Sequence, residues 1–245
     1  MSHYYRLVVS CPDQVGIVAR VSSFIAQQGG SITEASQHSD LETGRFFMRY
    51  EILADSLGMS AEALRTSFEP VAAEFDMQWS LVDTQKRRRV VLMVSRESHC
   101  LVDLLYRWQA GELDCDIVGV ISNHDDMRSL TEWYGIPYHH VPVDPANKQT
   151  AFEQVQEQID AARADCIVLA RYMQILPPSL CERYAGRVIN IHHSFLPSFA
   201  GAKPYHQAYE RGVKLIGATC HYVTEELDAG PIIEQDIHRV SHCHT

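Results

Sequence analysis

The sequence predicts an α/β protein of two domains, a small unit of order βαββαβ followed by a larger, doubly wound domain with a mostly parallel sheet. Three observations predict it. Through residue 82 the apolar positions switch between strand alternation and helical spacing in that order. The dense basic run Lys86-Arg87-Arg88-Arg89 then interrupts the pattern. Beyond it, short runs that are apolar throughout, as in strands buried on both faces of a parallel sheet, alternate with helical segments. The domains are expected at 1–84 and 90–245, with 85–89 as a solvated linker rather than a docking patch.

Each element has its own signal. Residues 5–10 alternate like a strand, and Cys11-Pro12-Asp13-Gln14 reads as a turn with Asp13 as helix N-cap. Ile17, Val21, Phe24 and Ile25 recur at helical spacing until Gly29-Gly30 stops the helix. Strands at 31–39 and 45–53 flank a hairpin turn at Glu42-Thr43-Gly44. Leu64, Phe68, Val71 and Phe75 mark a second helix, and 77–82 a last strand. In the second domain, strands are expected at 90–95, 117–122, 138–141 and 166–170, with helices at 101–109, 127–134 and 149–163. Ligands of such sheets bind beyond the carboxyl ends of the strands, so a site is expected near 95–100, 122–126, 171–176 and 190–200.

Composition excludes several classes. With 46% hydrophobic and 21% charged residues and no low-complexity tract, the chain is expected to fold. No stretch reaches the roughly 18 apolar residues of a membrane span, and the N-terminus lacks a signal-peptide core. The seven cysteines are odd in number, scattered and without a C-x-x-C pair, which fits a reducing cytosol and a cytoplasmic location. A net charge of −10 argues against nucleic acid as a partner. The first turn of the second domain, Ser95-Arg96-Glu97-Ser98-His99-Cys100, holds no glycine, so a nucleotide phosphate cradle is not expected there.

Chemistry concentrates in Arg187-Val188-Ile189-Asn190-Ile191-His192-His193-Ser194-Phe195-Leu196-Pro197. Residues 188–191 read as a strand, so Asn190 and His192 project to one side. A carboxamide can stabilise an oxyanion and an imidazole can move a proton, which together suit acyl transfer. Asp228, ahead of the Gly230-Pro231 loop, is a third candidate. Taken by themselves these residues do not settle the matter, since most of 13 histidines serve no catalysis. The clusters His192-His193 and His242-Cys243-His244 suggest a metal. On a strand, however, His193 is expected to face away from His192, and the second cluster lies at a fraying terminus, so no metal is expected.

Residues 5–82 resemble an ACT domain, a ferredoxin-like βαββαβ module that senses small ligands. The match lies in Asp13-Gln14-Val15-Gly16-Ile17-Val18-Ala19 and Gly29-Gly30-Ser31-Ile32. The resemblance implies a regulatory site around Asp13, Gly16 and Gly30, with Gly16 where backbone approaches a ligand or another chain, unless these glycines serve only as turn residues. It also implies a homo-oligomer formed through these domains, with an amino acid such as glycine or methionine as effector.

Residues 90–240 resemble the folate-dependent formyltransferases, with their Rossmann-like fold. The N-I-H-x-S-x-L-P signature is present as Asn190, Ile191, His192, Ser194, Leu196 and Pro197, and D-x-G-P as Asp228, Gly230 and Pro231. Asp228 follows His192 by 36 positions, as in that family. The resemblance implies Asn190, His192 and Asp228 as the catalytic set. It also implies Met173, Gln174, Ile175 and Leu176 with Val223, Thr224 and Glu225 as the folate pocket, although Met173, Ile175 and Leu176 could equally be core. The S-x-x-S-H-C first turn, the leading ACT-like unit and Gly201-Ala202-Lys203-Pro204-Tyr205-His206-Gln207-Ala208 are similar to the formyltetrahydrofolate deformylase branch. That branch implies hydrolysis of 10-formyltetrahydrofolate, without a cofactor, to tetrahydrofolate and formate for purine synthesis and one-carbon balance. The competing expectations are a transferase with a small acceptor and a non-catalytic sensor. Relatives continue past the equivalent of Val240-Ser241-His242, so a C-terminal part is expected to be missing.

Overall fold

The computed structural model describes residues 3–199 and 203–244 and divides into two compact units, Met1–Arg87 and Arg88–Thr245. In the first unit, strands β1 (Tyr4–Pro12), β2 (Ser31–Asp40), β3 (Arg45–Leu53) and β4 (Gln78–Asp83) form an antiparallel sheet of order β2-β3-β1-β4. Helices α1 (Ile17–Gln27) and α2 (Ala61–Glu74) join them. The alternation of β1 puts Tyr5, Leu7, Val9 and Cys11 inward, where they meet Ile17, Val21, Phe24 and Ile25 of α1 in one core. Phe68 of α2 packs edge-on against both Phe24 and Trp79. Each such side chain contributes about 1.5–3 kcal/mol by leaving water.

One expectation for this unit is corrected. Asp13 caps nothing: β1 runs on to Pro12 and α1 begins only at Ile17, so the N-cap is Gly16, four residues from the end of the strand. Asp13 instead donates its backbone N–H to the Gly44 carbonyl, tying the turn to the β2–β3 hairpin. Gly16 is needed for its backbone, with φ at 102°, and a Cβ there would meet nothing within 4 Å. Gly30 is needed for space, because a Cβ would come 2.8 Å from side-chain atoms of both Ile25 and Leu57.

In the second unit, β5 (Arg88–Val94), β6 (Cys115–Ser122), β7 (Tyr138–His140), β8 (Cys166–Leu169) and β9 (Val188–His192) run parallel. Strands β10 (Leu215–Tyr222) and β11 (Ile232–Arg239) continue the sheet antiparallel, giving the order β11-β10-β9-β8-β5-β6-β7. Connecting helices are α3 (His99–Gln109), α4 (Arg128–Trp133), α5 (Lys148–Ala161), α6 (Pro178–Arg183) and α7 (Pro204–Glu210). The unbroken apolar run of β5 serves two cores. Val91 and Met93 pack with Phe152, Val155 and Ile159 of α5, while Val90, Leu92 and Val94 pack with Leu101 and Leu105 of α3. Arg88 and Arg89, expected in a linker, open β5: the Arg89 N–H bonds the Asp165 carboxylate and its side chain the Ala162 carbonyl. Strands β10 and β11 carry no counterpart in the sequence reading.

The strand order reverses between β5 and β8, which opens a crevice at their carboxyl ends. Ser95, just past β5, closes its floor. Its hydroxyl donates to Asn123 Oδ1 at 2.6 Å and accepts the Met173 N–H at 3.1 Å, linking the ends of β5, β6 and β8.

Candidate active site

Strand β9 ends at His192, and its alternation sends Asn190 and His192 to the same face. The antiparallel register then sets His221 opposite Asn190 and Thr219 opposite His192. The loop after β10 returns Asp228 to this face. Its φ of 56° is a left-handed conformation that aspartate tolerates better than most residues. The result is a compact cluster. His192 Nδ1 lies 3.3 Å from Asp228 Oδ2, and both side chains are 7% exposed. His221 Nε2 lies 3.8 Å from Asp228 Oδ1 and 3.2 Å from Asn190 Nδ2.

Hydrogen-bond chemistry fixes the roles of two of these groups. The Tyr222 carbonyl can only accept, so His221 Nδ1, 2.9 Å away, carries a proton and donates it there. Its Nε2 then accepts from the Asn190 amide. Asn190 is thereby held by one N–H, and its second N–H has no partner among the described residues. His192 Nε2 reaches the Phe199 carbonyl at 3.4 Å. The following loop is pinned to β10 and β11: Thr219 Oγ1 donates to the Ser194 carbonyl and accepts the Leu196 N–H and the Gln235 amide. Gly230 has no freedom to be anything larger, because a Cβ would strike the Tyr222 carbonyl. That close approach lets the Tyr222 N–H reach the Pro231 carbonyl at 2.9 Å.

The cluster sits in a cleft of about 900 Å³. Met173, Gln174, Ile175 and Leu176 line one part, and Val223, Thr224, Glu225 and Leu227 line another. Met173 and Ile175 are each 59% exposed, so they are not core residues; Leu176 is buried and does both jobs. Exposed apolar side chains gathered in a concave site suit a flat, largely apolar ligand.

The amino-acid sequence matches the formyl transferase family over residues 88–245 and the ACT domain family over residues 5–64. A formyltetrahydrofolate deformylase of Bacillus subtilis (strain 168) is 51% identical over 241 residues, covering 97% of this chain and 79% of the relative. Another, from Corynebacterium sp. (strain P-1), is 50% identical over 236 residues, covering 96% and 82%. The chain belongs to the formyltetrahydrofolate deformylase family. The crystal structure of a family member from Pseudomonas syringae pv. tomato aligns with TM-score 0.98 at 64% identity, over all of this chain and 82% of that one. A phosphoribosylglycinamide formyltransferase from Bacillus halodurans aligns at TM-score 0.61 and 31% identity, over 64% of this chain and 83% of its own.

Against this deformylase-family site, the sequence-based expectations divide. Asn190, His192 and Asp228 come together, and the expected pocket residues line the same cleft. Residues 122–126 do not line it; Asn123 acts from behind, through Ser95. His193 does not face away, because β9 ends at His192 and the strand alternation ends with it. Its ring stacks on His192 with centroids 5.6 Å apart, and it lines the cleft. His221 was missed entirely. The alternation of Gly217, Thr219 and His221 on one face of a strand was its only signal, and that strand was not recognised. The first unit's Asp13, Gly16 and Gly30 belong to the other compact unit. Gly201 and Ala202 of the second-unit motif lie outside the described residues.

Proposed function

We propose that this chain hydrolyses 10-formyltetrahydrofolate to tetrahydrofolate and formate at the Asn190, His192 and Asp228 cluster. One observation carries the reading: an amide, an imidazole and a carboxylate converge beside a cleft walled by exposed apolar residues, in a chain of the deformylase family. The pteridine and benzoyl rings would lie among Met173, Ile175, Leu176 and the 223–228 loop, with Gln174, Thr224 and Glu225 offering polar contacts.

In the step proposed, Asp228 orients a water and takes one of its protons as the water oxygen bonds to the formyl carbon. The carbonyl electrons move onto oxygen, and the second Asn190 N–H donates a hydrogen bond to that oxyanion. His192, held by Asp228, delivers a proton to N10 as the C–N10 bond breaks. The oxyanion electrons re-form the C=O bond as tetrahydrofolate leaves with that proton. Formic acid then loses the second water proton to solvent and leaves as formate, and the proton on Asp228 passes to His192. These three organic groups complete the step, so the reading includes no cofactor and no metal.

The first unit is proposed to sense an amino acid, glycine or methionine, and to pair with a second copy of the chain. Its match to the ACT family and its open edge strand β2, exposed along most of its length, support this. A cytoplasmic location is supported by seven free thiols, and among the described residues no helix is long and apolar enough to cross a membrane. The deciding assay is formate release from 10-formyltetrahydrofolate by purified protein with no acceptor added. Acceptor-independent formate is expected; release that requires an added amine would refute hydrolysis.

A further inference from the structure

Arg171 follows β8 with φ at 65°, a conformation that glycine adopts freely and that an arginine adopts against the clash of its Cβ. What the position holds is a guanidinium in the cleft, beside the cluster. Its Nη1 donates to His193 Nδ1 at 3.1 Å, and its Nε is buried with no hydrogen-bond partner among the described residues. Among those residues no salt bridge joins Arg171 to a carboxylate. A guanidinium has five N–H donors in a planar fork, and one of them serves His193 here.

His193 accepts at Nδ1, so its neutral ring carries the proton on Nε2, a second donor. Burial, then the neighbouring Arg171 and His192, push its pKa down, so the ring stays neutral beside the guanidinium. Its ring lies 5.6 Å from both His192 and Tyr205. Arg171 also acts on Cys100 and Tyr205, opposing the upward push of burial on both. His99, Lys203 and His206 line the same cleft, so nitrogen donors gather here, whereas the 223–228 loop contributes Glu225, Glu226 and Asp228.

We infer that Arg171 and His193 form a subsite for a small carboxylate, the formate released beside His192. The inference rests on the hydrolytic reading above. Hydrolysis turns a neutral formamide into an anion inside a cleft that already holds the Asp228 carboxylate. A guanidinium next to the reacting imidazole donates to both oxygens of that anion in the fork geometry it favours. The subsite makes formate a product inhibitor and governs how readily it leaves.

The test measures initial rates of 10-formyltetrahydrofolate hydrolysis by the full chain with added sodium formate, ionic strength held constant with sodium chloride. Saturable inhibition of the wild type is expected. In Arg171→Gln the formate inhibition constant should rise about tenfold, as loss of one charge-assisted hydrogen-bonding partner costs roughly 1.4 kcal/mol or more. Arg171→Lys, which keeps the charge without the fork, should fall between the two. Should Arg171→Gln fail to melt cooperatively, His193→Gln provides the same comparison, with a weaker rise expected. Acetate should inhibit less than formate, and equal potency would overturn the assignment to product. An unchanged formate constant in the variants, or no inhibition beyond that of chloride, would overturn the subsite. If the protein hydrolyses no substrate, the hydrolytic reading fails by itself. Protection of the wild type, but not of Arg171→Gln, from thermal unfolding by formate still decides whether the anion binds there.

Discussion

Replacing Asp228 by asparagine preserves size and removes charge at the centre of the proposed chemistry. The side chain is 7% exposed, with one oxygen 3.3 Å from His192 Nδ1. Asparagine tolerates the left-handed φ of 56° about as well as aspartate, so the loop and the Gly230 contact should survive. The folding stability should then fall by about 0.5–3 kcal/mol, the ordinary range for a single substitution, with cooperative melting retained. Activity should not survive in the same way. An amide neither draws on the proton of a water nor holds an imidazolium that forms beside it. A positioned acid or base contributes on the order of 10²- to 10⁴-fold, so kcat should fall by that factor, about 3–5 kcal/mol of transition-state stabilisation. The KM for 10-formyltetrahydrofolate should stay within about threefold, because ring burial against Met173, Ile175 and Leu176 is untouched. Formate release followed against tetrahydrofolate formation, with a melting curve on the same preparation, reads all three quantities. A cooperatively folded variant with kcat within about tenfold of wild type would refute the role given to the carboxylate.

Four further outcomes follow from the geometry. Asn190→Ala removes the amide donor proposed for the oxyanion and should lower kcat by about 10²- to 10³-fold. It also leaves the buried His221 Nε2 without its partner, at a cost of about 1–3 kcal/mol of stability, and a folded, active variant would send the oxyanion elsewhere. Gly230→Ala drives a methyl into the Tyr222 carbonyl and should cost about 1–3 kcal/mol of stability, visible in denaturant melts. Tyr172→Phe deletes a buried hydroxyl that lacks a partner among the described residues. It should stabilise the protein by about 1 kcal/mol, or 2–4 °C, and a lower melting temperature would mean that the hydroxyl is satisfied. Because the folded state lowers the pKa of His193, that residue binds its proton less readily folded than unfolded. The associated stability is present above about pH 6.5 and is lost as pH falls through the lower folded value. His193→Gln should therefore flatten the decline of melting temperature between about pH 7 and 5, and parallel curves would contradict the shift.

What could be read from the sequence was whatever the period of one element records by itself. Ile17, Val21, Phe24 and Ile25 announce α1 because a helix with a single buried face repeats every 3.6 residues. The run from Val90 to Val94 announces a central strand because both of its faces are buried. Strand β11 announces nothing: from Ile232 to Arg239 no residue is buried, so no alternation is written into it, and only its pairing with β10 makes it a strand. Strand β10 does alternate, burying Gly217, Thr219 and His221, but a glycine and two polar side chains write no apolar period, and His221 was lost with it. The Asp13 error has a different origin, since an N-cap signal is local but the length of the preceding strand is set by its partners across the sheet.

Those illegible elements are the ones that assemble the site. The parallel part of the sheet delivers Asn190 and His192 to the crevice, as a doubly wound fold should. It does not by itself orient the amide or return the carboxylate. Both tasks fall to β10, which runs back along β9 and sets His221 against Asn190 before its loop brings Asp228 to His192. Side chains on a strand alternate with period two, so a slip of one residue between β9 and β10 would turn His221 and Thr219 to the other face. The register is therefore as much a part of the active site as any side chain in it. It is held by Thr219 and Gln235, which clamp the Ser194 and Leu196 backbone, and by the glycine at 230 that lets the Pro231 carbonyl close on Tyr222. The S-x-L-P and D-x-G-P elements are thus structural parts of one device: they lock the strand pairing that brings the Asn190 amide and the Asp228 carboxylate into the same cleft.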